Sequence, residues 1–412
     1  MRPHFSYTAR SFEAPQGRAR YALINTRTSI PSVAAGLYEA ALASAASPNT
    51  LSAELQGIRP LFTWADQTRL DLDARLLSGG LLEPREIRAF ATWLHRAFLE
   101  AADRTTFPSE NIKGFNTYLF AAQRMMDWFH TQYAADAGHL PRNIAVAKAI
   151  ETTARVWRER RKRTRVLETA PDLEEDGIAE IETFLHSAAS APSPDPLWVR
   201  GYLIWRLAIE FGFRIGEILA LRLEDCPTRM SRAFCIVRVE DRIGPPDPRG
   251  KYAPRPKTLG RELEPVIARS AFPRLLIDYM TTHRVSWRRS PSGARLKRPV
   301  VHHTYLVVND KGDPLPQRSA TNLAAYIARE TGVDFTWHLA RHAFFNRAYE
   351  AVARLEDPTQ REVRTGDLVY WGGWSDPESL NIYIRRARQQ RARTALRVWG
   401  SAALEWKALS PS

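Results

Sequence analysis

The sequence contains very little cysteine, no long apolar run and no phosphate-binding glycine loop. Its two cysteines, Cys226 and Cys235, are too few for a disulfide framework or a cysteine-rich zinc module. No segment approaches the roughly 18 apolar residues of a membrane span, and residues 1–20 lack the apolar stretch of a signal peptide. The absence of a Gly-x-x-x-x-Gly-Lys-Ser/Thr motif excludes the P-loop nucleotide hydrolases. We therefore expect a soluble, reduced, cytoplasmic protein with no membrane partner.

Positive charge is what the sequence has in excess. Its 59 lysines and arginines against 45 acidic residues give a formal net charge of +14, which favours a polyanionic partner. Residues 155–165 carry seven basic side chains and one acid, whereas 167–182 carry seven acids and no base. A second basic run, 384–397, has six arginines. Either run alone is typical of a solvated helix face, but two runs flanking one domain favour a groove for a phosphate backbone.

Hydrophobic periodicity divides the chain into a helical first part and a mixed second part. Helices are predicted at 49–65, 82–102, 108–133 and 143–160, after a short strand pair near 20–30. We predict a mainly α, two-domain protein, with an N-terminal helical bundle and a C-terminal α+β domain containing a small antiparallel sheet. The predicted divisions are an extension (1–44), the bundle (45–165), an acidic linker (166–182), the second domain (183–400) and a tail (401–412).

The second domain is predicted to alternate helices with short strands. Apolar and β-branched runs predict a helix over 197–221 and a strand over 234–239 that pairs with one over 261–266. A further strand is predicted over 305–310. Three helices complete the domain, at 317–329, 338–354 and 376–398.

An arginine interrupts the apolar segment FGFRIGEILALRLEDC, residues 211–226. Arg214 and Glu217 are three residues apart, so they share one face of a helix. A buried arginine is unfavourable unless an anion pairs with it, and this position therefore requires a partner or a bound anion. Taken alone, the segment is more typical of a structural ion pair within one helix.

Two histidines flank an arginine in WHLARHAFF, residues 337–345. His338 and His342 have the four-residue spacing of a helical zinc pair, but Leu339 stands where His-Glu-x-x-His has its glutamate. Arg341 shares the face of His338. A zinc hydrolase built on the two histidines is a minor alternative, and we expect no metal.

A tyrosine precedes the second arginine run in GGWSDPESLNIYIRRA, residues 372–387. Ser375 or Asp376 is predicted to cap a helix that presents Tyr383, and Trp374 lies nine residues before the tyrosine. Lys257 lies between two predicted strands of the second domain. Each of these residues, taken alone, is typical of packing or of an exposed turn.

In their order along the chain, these residues resemble the signature of the tyrosine recombinases, the phage-type integrase family. The family pattern of arginine, hairpin lysine, His-x-x-Arg, histidine or tryptophan, and tyrosine is matched by Arg214, Lys257, His338, Arg341, Trp374 and Tyr383. The segment HLARH is similar to the family's His-x-Leu-Arg-His block, with Ala340 in place of leucine. The resemblance covers about residues 45–400. It implies a core-binding bundle followed by a catalytic domain of the DNA breaking-rejoining enzyme fold.

The resemblance implies that Tyr383 is a nucleophile. Tyr383 would attack the scissile phosphate and form a 3′-phosphotyrosyl intermediate with a free 5′-hydroxyl. Arg214 and Arg341 would supply planar forks of donors to the phosphate oxygens. Because the ordinary pKa of tyrosine is near 10, Tyr383 would need help from these cations or from His338 as a base.

The remaining matched residues would support this reaction. Lys257 would be the general acid on the 5′-oxygen, although Lys251 competes for this role because the hairpin is long and rich in proline. Trp374 would donate a hydrogen bond to a phosphate oxygen, since an indole N–H donates as an imidazole does. Glu217 would orient the arginines, and His342 would give structural support.

The resemblance also implies double-stranded DNA as the partner and no cofactor. Two recombining sites would be held by four protomers, with or without an accessory protein or a second recombinase, in the service of a mobile genetic element. A type IB topoisomerase-like enzyme and a DNA-binding protein without catalysis are the alternatives. The resemblance does not decide whether the reaction is integration, excision, resolution or transposition. The predicted DNA-binding residues are Arg155, Arg158, Arg160, Arg161, Lys162, Arg163 and Arg165.

Overall fold

The computed structural model describes most of the chain as two compact units. The described residues are 3–14, 19–44, 46, 48–103, 105, 107, 111–136, 140–162, 171–228, 233–238, 241–250, 253–254, 256, 258–264, 272–289, 295–298 and 301–409. One unit comprises Met1–Leu167 and the other Glu168–Ser412, and each has its own hydrophobic core. Within these described ranges, the helices are all too short or too polar to cross a membrane.

The first unit is a helical bundle preceded by a β-hairpin. Strands β1 (Tyr7–Glu13) and β2 (Ala19–Asn25) pair antiparallel. The helices that follow are α1 (Val33–Leu42), α2 (Pro48–Gln67), α3 (Leu72–Leu77), α4 (Pro84–Ala102), α5 (Ile112–Asp136) and α6 (Leu140–Arg160). Helices α2, α4, α5 and α6 confirm the four predicted from periodicity. Their apolar stripes meet in one core that includes Leu55, Phe90, Leu119 and Trp157.

The residues set apart as an N-terminal extension pack into the core of this unit. Phe5, Leu23 and Tyr38 are buried together with the helices of the bundle. Strand β2 is tied to α1 by Arg20, whose Nη2 lies 2.6 Å from Oε2 of the buried Glu39. A two-stranded hairpin is stable only when another layer covers its apolar face, and the bundle provides that layer.

The second unit is mainly helical and contains two further two-stranded sheets among its described residues. Its elements are α7 (Glu175–Ala189), α8 (Pro196–Phe211), α9 (Ile215–Ala220), β3 (Phe234–Ile236), β4 (Arg261–Leu263), α10 (Phe272–Asp278), β5 (Ser286–Arg289), β6 (Arg295–Arg298), α11 (Gln317–Thr331), α12 (Trp337–Ala353), α13 (Pro358–Gly372) and α14 (Asn381–Leu409). Strand β3 pairs antiparallel with β4, as predicted, and β5 pairs with β6. The predicted fold class, mainly α with a small antiparallel sheet in the second domain, is confirmed.

Three details of the prediction for this unit are wrong. The helix predicted over 197–221 is broken, because Gly212 adopts φ +66° and ends α8, and the backbone is extended at Arg214 before α9 begins. The strand predicted over 305–310 does not form, since these residues make only isolated bridges to other segments. Helices α7, α10 and α13 and the hairpin of β5 and β6 are missing from the prediction.

Helix α8 lies at the centre of the core of the second unit and packs against α7 and α12. Leu203, Trp205 and Leu207 on α8 are fully buried. The indole N–H of Trp205 donates to Glu182 of α7 at 2.6 Å, which satisfies its one polar atom inside the core. This packing fixes α12 beside the C-terminal end of α8, where the charged residues of the predicted site converge.

Candidate active site

The end of α8 and the start of α9 contribute the first part of a cluster of charged side chains. Gly212 turns the chain at φ +66°, and its carbonyl oxygen accepts a hydrogen bond from Nη1 of Arg341 on α12. A β-carbon at Gly212 would collide with the Phe344 ring, so only glycine fits this turn. Arg214 follows, and its backbone N–H donates to Oε2 of Glu217 at 2.8 Å.

Glu217 is the buried centre of the cluster. Its Oε1 accepts from the Thr258 hydroxyl at 2.5 Å and from Arg261 Nη1 at 3.0 Å, and Arg261 Nη2 donates to Oε2 at 3.2 Å. Nη1 of Arg341 lies 3.8 Å from Oε2, and Nη1 of Arg214 lies 3.6 Å from Oε1. Burial alone raises the pKa of Glu217, but the arginines and the hydrogen bonds outweigh it. The pKa is therefore lowered, and the carboxylate is ionised at neutral pH.

Arg261, the first residue of β4, is a member of the cluster that the sequence analysis missed. Its side chain is 1% exposed, and Nε donates to the carbonyl oxygen of Trp371 at 2.7 Å. The strand pattern contains a signal for it, because Leu263 faces the core and residues two apart share a face. An inward arginine on a short strand requires a buried anion, and Glu217 supplies one.

The turn after α13 joins the two predicted catalytic arginines. The carbonyl oxygen of Gly372 accepts from Arg214 Nη1 at 3.1 Å and from Arg341 Nη2 at 3.0 Å. Gly373 adopts φ +60°, and a β-carbon there would lie 2.5 Å from Nη1 of Arg261. A single main-chain acceptor therefore holds both guanidinium groups in one place, and the residue after it leaves room for the third.

Arg341 is nearly fully buried, at 2% exposure, and lies over aromatic rings. Its guanidinium carbon is 4.6 Å from the ring centre of Phe345 and 5.3 Å from that of Trp374. Burial and the charge of Arg214 lower the pKa of Arg341 to about 9, although Glu217 acts in the opposite direction. The group stays charged at neutral pH, and its low-dielectric surroundings strengthen its attraction for an anion.

Tyr383, on the first turn of α14, is buried beside these cations. Its ring centre lies 5.6 Å from that of Phe345 and 5.8 Å from that of Trp374. Burial raises the pKa of the Tyr383 hydroxyl to about 12, and the charges of Arg341 and Arg214 partly offset this rise. The tyrosine is thus protonated at neutral pH, and as a nucleophile it would lose its proton during the reaction itself.

The two histidines of α12 contact one another and the tyrosine. Nε2 of His338 and Nε2 of the buried His342 are 2.8 Å apart, so one ring donates and the other accepts. The His342 ring centre lies 5.4 Å from that of Tyr383. Burial, His338 and Arg341 lower the pKa of His342 to about 4, and burial followed by Arg341 lowers the pKa of His338. Both rings are therefore neutral at pH 7, and His338 is able to accept a proton.

A metal site at these histidines finds no support in the described part of the chain. No group of three or more His, Cys, Asp or Glu side chains that could hold a metal ion occurs there. His338 and His342 direct their Nε2 atoms at each other, so one nitrogen of each ring is used in a hydrogen bond between them.

Most of the predicted catalytic residues come together in the second unit. The residues that share contacts in this cluster are Arg214, His338, Arg341, Trp374 and Tyr383, with the supporting Glu217 and His342. Lys257 and its competitor Lys251 lie outside the described residues. Thr258, which follows Lys257 in the chain, is bound to Glu217. The catalytic roles of all these residues stay predictions.

The predicted DNA-binding residues of the first unit fall into three groups. Three of them are exposed at the end of α6, namely Arg155, Arg158 and Arg160. Two lie outside the described residues, namely Arg163 and Arg165. Arg161 instead lies 3.5 Å from the ring centre of Phe120, and the Lys162 ammonium lies 4.2 Å from that of Phe107. These cation–π contacts hold the last two side chains against their own unit.

Comparison with known proteins finds similarity only among solved structures. No protein-family model and no curated protein matches the chain. The XerH site-specific recombinase bound to difH substrate is 15% identical, with 77% of this chain and 84% of that chain covered and a TM-score of 0.36. The Tn1549 transposon integrase in complex with circular intermediate DNA is 13% identical, with 85% and 94% covered and a TM-score of 0.46. The lambda integrase bound to DNA is 14% identical, with 83% and 90% covered and a TM-score of 0.45.

These solved structures are recombinases and integrases by name. At these identities and TM-scores, the matches do not indicate what the chain does. What the chain does has to be argued from the geometry of its own residues.

Proposed function

We propose that this chain is a tyrosine-type site-specific DNA recombinase, which cuts and rejoins DNA through a 3′-phosphotyrosyl intermediate. The observation that carries the proposal is the Gly372 carbonyl oxygen, which holds Arg214 and Arg341 where their charges act on Tyr383. Two converging guanidinium forks beside a buried tyrosine suit an attack on a phosphodiester. The forks bind the non-bridging oxygens, on which negative charge develops in the transition state.

In the proposed cleavage step, the Tyr383 oxygen forms a bond to phosphorus as the bond from phosphorus to the 5′-oxygen breaks. His338, neutral at pH 7, takes the tyrosine proton, and Lys257 gives a proton to the leaving 5′-oxygen. The products are a 3′-phosphotyrosyl link and a free 5′-hydroxyl. Rejoining is the reverse reaction with the 5′-hydroxyl of another strand. The covalent link conserves the phosphodiester energy, so the proposal includes no nucleotide and no metal.

The other residues of the cluster are proposed to hold this arrangement. Trp374 packs against Tyr383 and would donate its indole N–H to a phosphate oxygen. Glu217 orients Arg214 through the backbone N–H at 2.8 Å. His342 supports His338 through the hydrogen bond between their Nε2 atoms.

The proposed substrate is double-stranded DNA. The exposed Arg155, Arg158 and Arg160 are suited to its phosphate backbone, and exposed arginines of α14 form a second basic surface. By the proposal, four copies of the chain hold two sites, with an accessory protein or second recombinase where the element requires one. The setting is a mobile genetic element acting on the DNA of the cytoplasm.

Covalent capture of DNA tests the proposed function. The full chain would be mixed with a pool of nicked DNA duplexes whose sequence is randomised on both sides of the nick. Cleavage close to the nick releases a short strand that carries the 5′-hydroxyl. Once this strand has diffused away, rejoining is impossible and the covalent intermediate is trapped. We expect an adduct that survives denaturation, forms in the presence of EDTA and carries the DNA on Tyr383. Sequencing the captured strands identifies both the preferred site and the scissile phosphate.

Two variants make the test specific to the tyrosine. Tyr383→Phe removes only the nucleophilic oxygen and should abolish the adduct. Tyr326→Phe, a change at a partly exposed tyrosine on α11, should leave adduct formation unchanged. No adduct with the unaltered chain, or an adduct that persists in Tyr383→Phe, would reject the proposed function. Topoisomerase activity would appear instead as relaxation of plasmids that carry a single site.

A further inference from the structure

The cluster contains one more arginine than the motif requires. Arg214, Arg341 and Arg261 surround the single carboxylate of Glu217, which gives four charged groups a net charge of +2. His338 adds no charge at neutral pH, because burial and the arginines lower its pKa. A phosphodiester carries one negative charge, and the transition state of its cleavage by an ionised oxygen carries two. The excess positive charge of these four groups therefore favours the transition state over the ground state.

The three arginines do not share Glu217 equally. Arg261 binds both carboxylate oxygens, at 3.0 and 3.2 Å, whereas the nearest nitrogens of Arg214 and Arg341 lie at 3.6 and 3.8 Å. At these longer separations neither side chain makes a hydrogen bond to the carboxylate. A carboxylate accepts bidentate contact from one guanidinium fork, and Arg261 occupies it. The other two arginines donate instead to main-chain carbonyls, and their remaining N–H groups are not used by Glu217.

We propose that Arg261 is a positioning residue for the cleavage step: it satisfies Glu217 so that Arg214 and Arg341 keep their donors for the phosphate. This inference deepens the proposed function and rests on it. Without Arg261, the buried carboxylate would draw Arg341 or Arg214 from 3.8 or 3.6 Å into hydrogen-bonding distance, because a buried charge without hydrogen bonds is strongly unfavourable. Those donors would then be lost to the substrate.

A second contact links Arg261 to the same two side chains. Its Nε donates to the Trp371 carbonyl at 2.7 Å, one peptide before the Gly372 carbonyl that accepts from Arg214 and Arg341. Arg261 therefore fixes both partners of the catalytic pair, the carboxylate on one side and the main-chain turn on the other. None of its contacts requires it to touch the substrate, which distinguishes it from the residues of the motif.

The test measures the single-turnover rate of DNA cleavage by the full chain at saturating protein concentration. The substrate is a nicked duplex of a sequence that the unaltered chain captures in the experiment described above. Arg261→Gln should slow adduct formation on the order of 100-fold, as loss of a preorganised donor does, with little change in DNA binding. Arg261→Lys keeps the positive charge but lacks the guanidinium fork, so its cleavage rate should lie between those of the unaltered chain and Arg261→Gln. Arg200→Gln is the matched control, because Arg200 is a buried arginine of the same unit that pairs with Asp310 instead. It should cleave at the normal rate.

Two further measurements separate positioning from a merely structural role. The double variant Arg261→Gln/Glu217→Gln restores the net charge of +2 and removes the competing carboxylate, so it should cleave about tenfold faster than Arg261→Gln alone. A methylphosphonate at the scissile position lacks one charged oxygen, so the defect of Arg261→Gln should be about tenfold smaller on it.

Several outcomes would overturn the inference. They are a cleavage rate for Arg261→Gln within a factor of three of normal, an equal loss in Arg200→Gln, or a double variant slower than the single one. The same defect on phosphate and methylphosphonate would also overturn it. If the unaltered chain captures no DNA through Tyr383, the proposed function fails and the inference fails with it. Capture by the unaltered chain without any of the expected Arg261 effects rejects the inference alone.

Discussion

Replacing Glu217 by glutamine should destabilise the second unit more than any exposed charge change. The substitution keeps the shape of the side chain but removes the only negative charge among Arg214, Arg261 and Arg341 in this cluster. Arg261 and Arg341 are 1% and 2% exposed, so water does not take over the role of the carboxylate. Arg214, at 32%, is partly solvated and contributes little to the loss. Breaking a buried ion pair from one side costs about 3 to 5 kcal/mol, and we expect a loss in this range.

The free energy of unfolding of the full chain in urea, followed by tryptophan fluorescence, measures this loss. Glu175→Gln serves as the control, because Glu175 is 80% exposed and its ion pair with Arg347 should be worth less than about 1 kcal/mol. The difference in the free energy of unfolding between the unaltered chain and Glu217→Gln should depend on pH. The pKa of Glu217 is lowered in the folded state, so its contribution is present above its ordinary pKa of 4.5 and is lost as the pH falls below it.

A loss no larger than that of the Glu175 control would refute the reasoning. It would mean that Arg261 and Arg341 find other compensation inside the unit. A difference between the two proteins that stays constant from pH 7 to pH 3 would also contradict it, since an ionised carboxylate is the assumed cause.

Two further predictions concern other parts of the site. His342 is buried with its pKa lowered to about 4, so stability should fall as the pH drops from 6.5 towards 4, by up to about 3 kcal/mol. His342→Gln should flatten that part of the pH profile of urea unfolding. Gly373→Ala should destabilise the unit by more than the roughly 1 to 2 kcal/mol of left-handed backbone strain, because its β-carbon would meet Arg261 at 2.5 Å. Gly332→Ala is the control for backbone strain alone, because Gly332 has φ +70° and open space where its β-carbon would lie. If thermal denaturation shows the same loss of stability for Gly332→Ala and Gly373→Ala, the steric argument is wrong.

Side chains on helices are the part of this site that the sequence predicts well. His338, Arg341 and His342 follow three- and four-residue intervals, and the structure brings them to the side of α12 that meets the arginine cluster and Tyr383. The Gly372 carbonyl has no comparable signal, because every residue carries one and its use depends on the path of the turn. Arg261 is intermediate: strand alternation indicates its direction, but a strand of three residues is too short to make that pattern stand out.

The errors in the fold have equally specific causes. Only Gly372 is buried in α13, so that helix lacks the apolar stripe by which helices are predicted. Residues 305–308 are apolar because they are buried, and not because they pair with a neighbouring strand. The N–H of Leu306 donates to the Leu221 carbonyl at 2.8 Å, whereas the Val307 carbonyl accepts from Leu315 at 3.0 Å, so the segment makes separate links to different neighbours in place of a strand ladder. An apolar run of this length indicates burial without specifying the hydrogen-bonding partner.

The Gly372 carbonyl also determines when the site is assembled during synthesis. Arg214 and Gly372 are 158 residues apart, a length that a ribosome adds in roughly 10 to 30 s. Until Gly372 has been added, the two arginines lack their common acceptor, and Tyr383 follows eleven residues later. On the proposed function, a nascent chain would therefore lack the assembled cluster, and DNA cleavage would require the finished molecule.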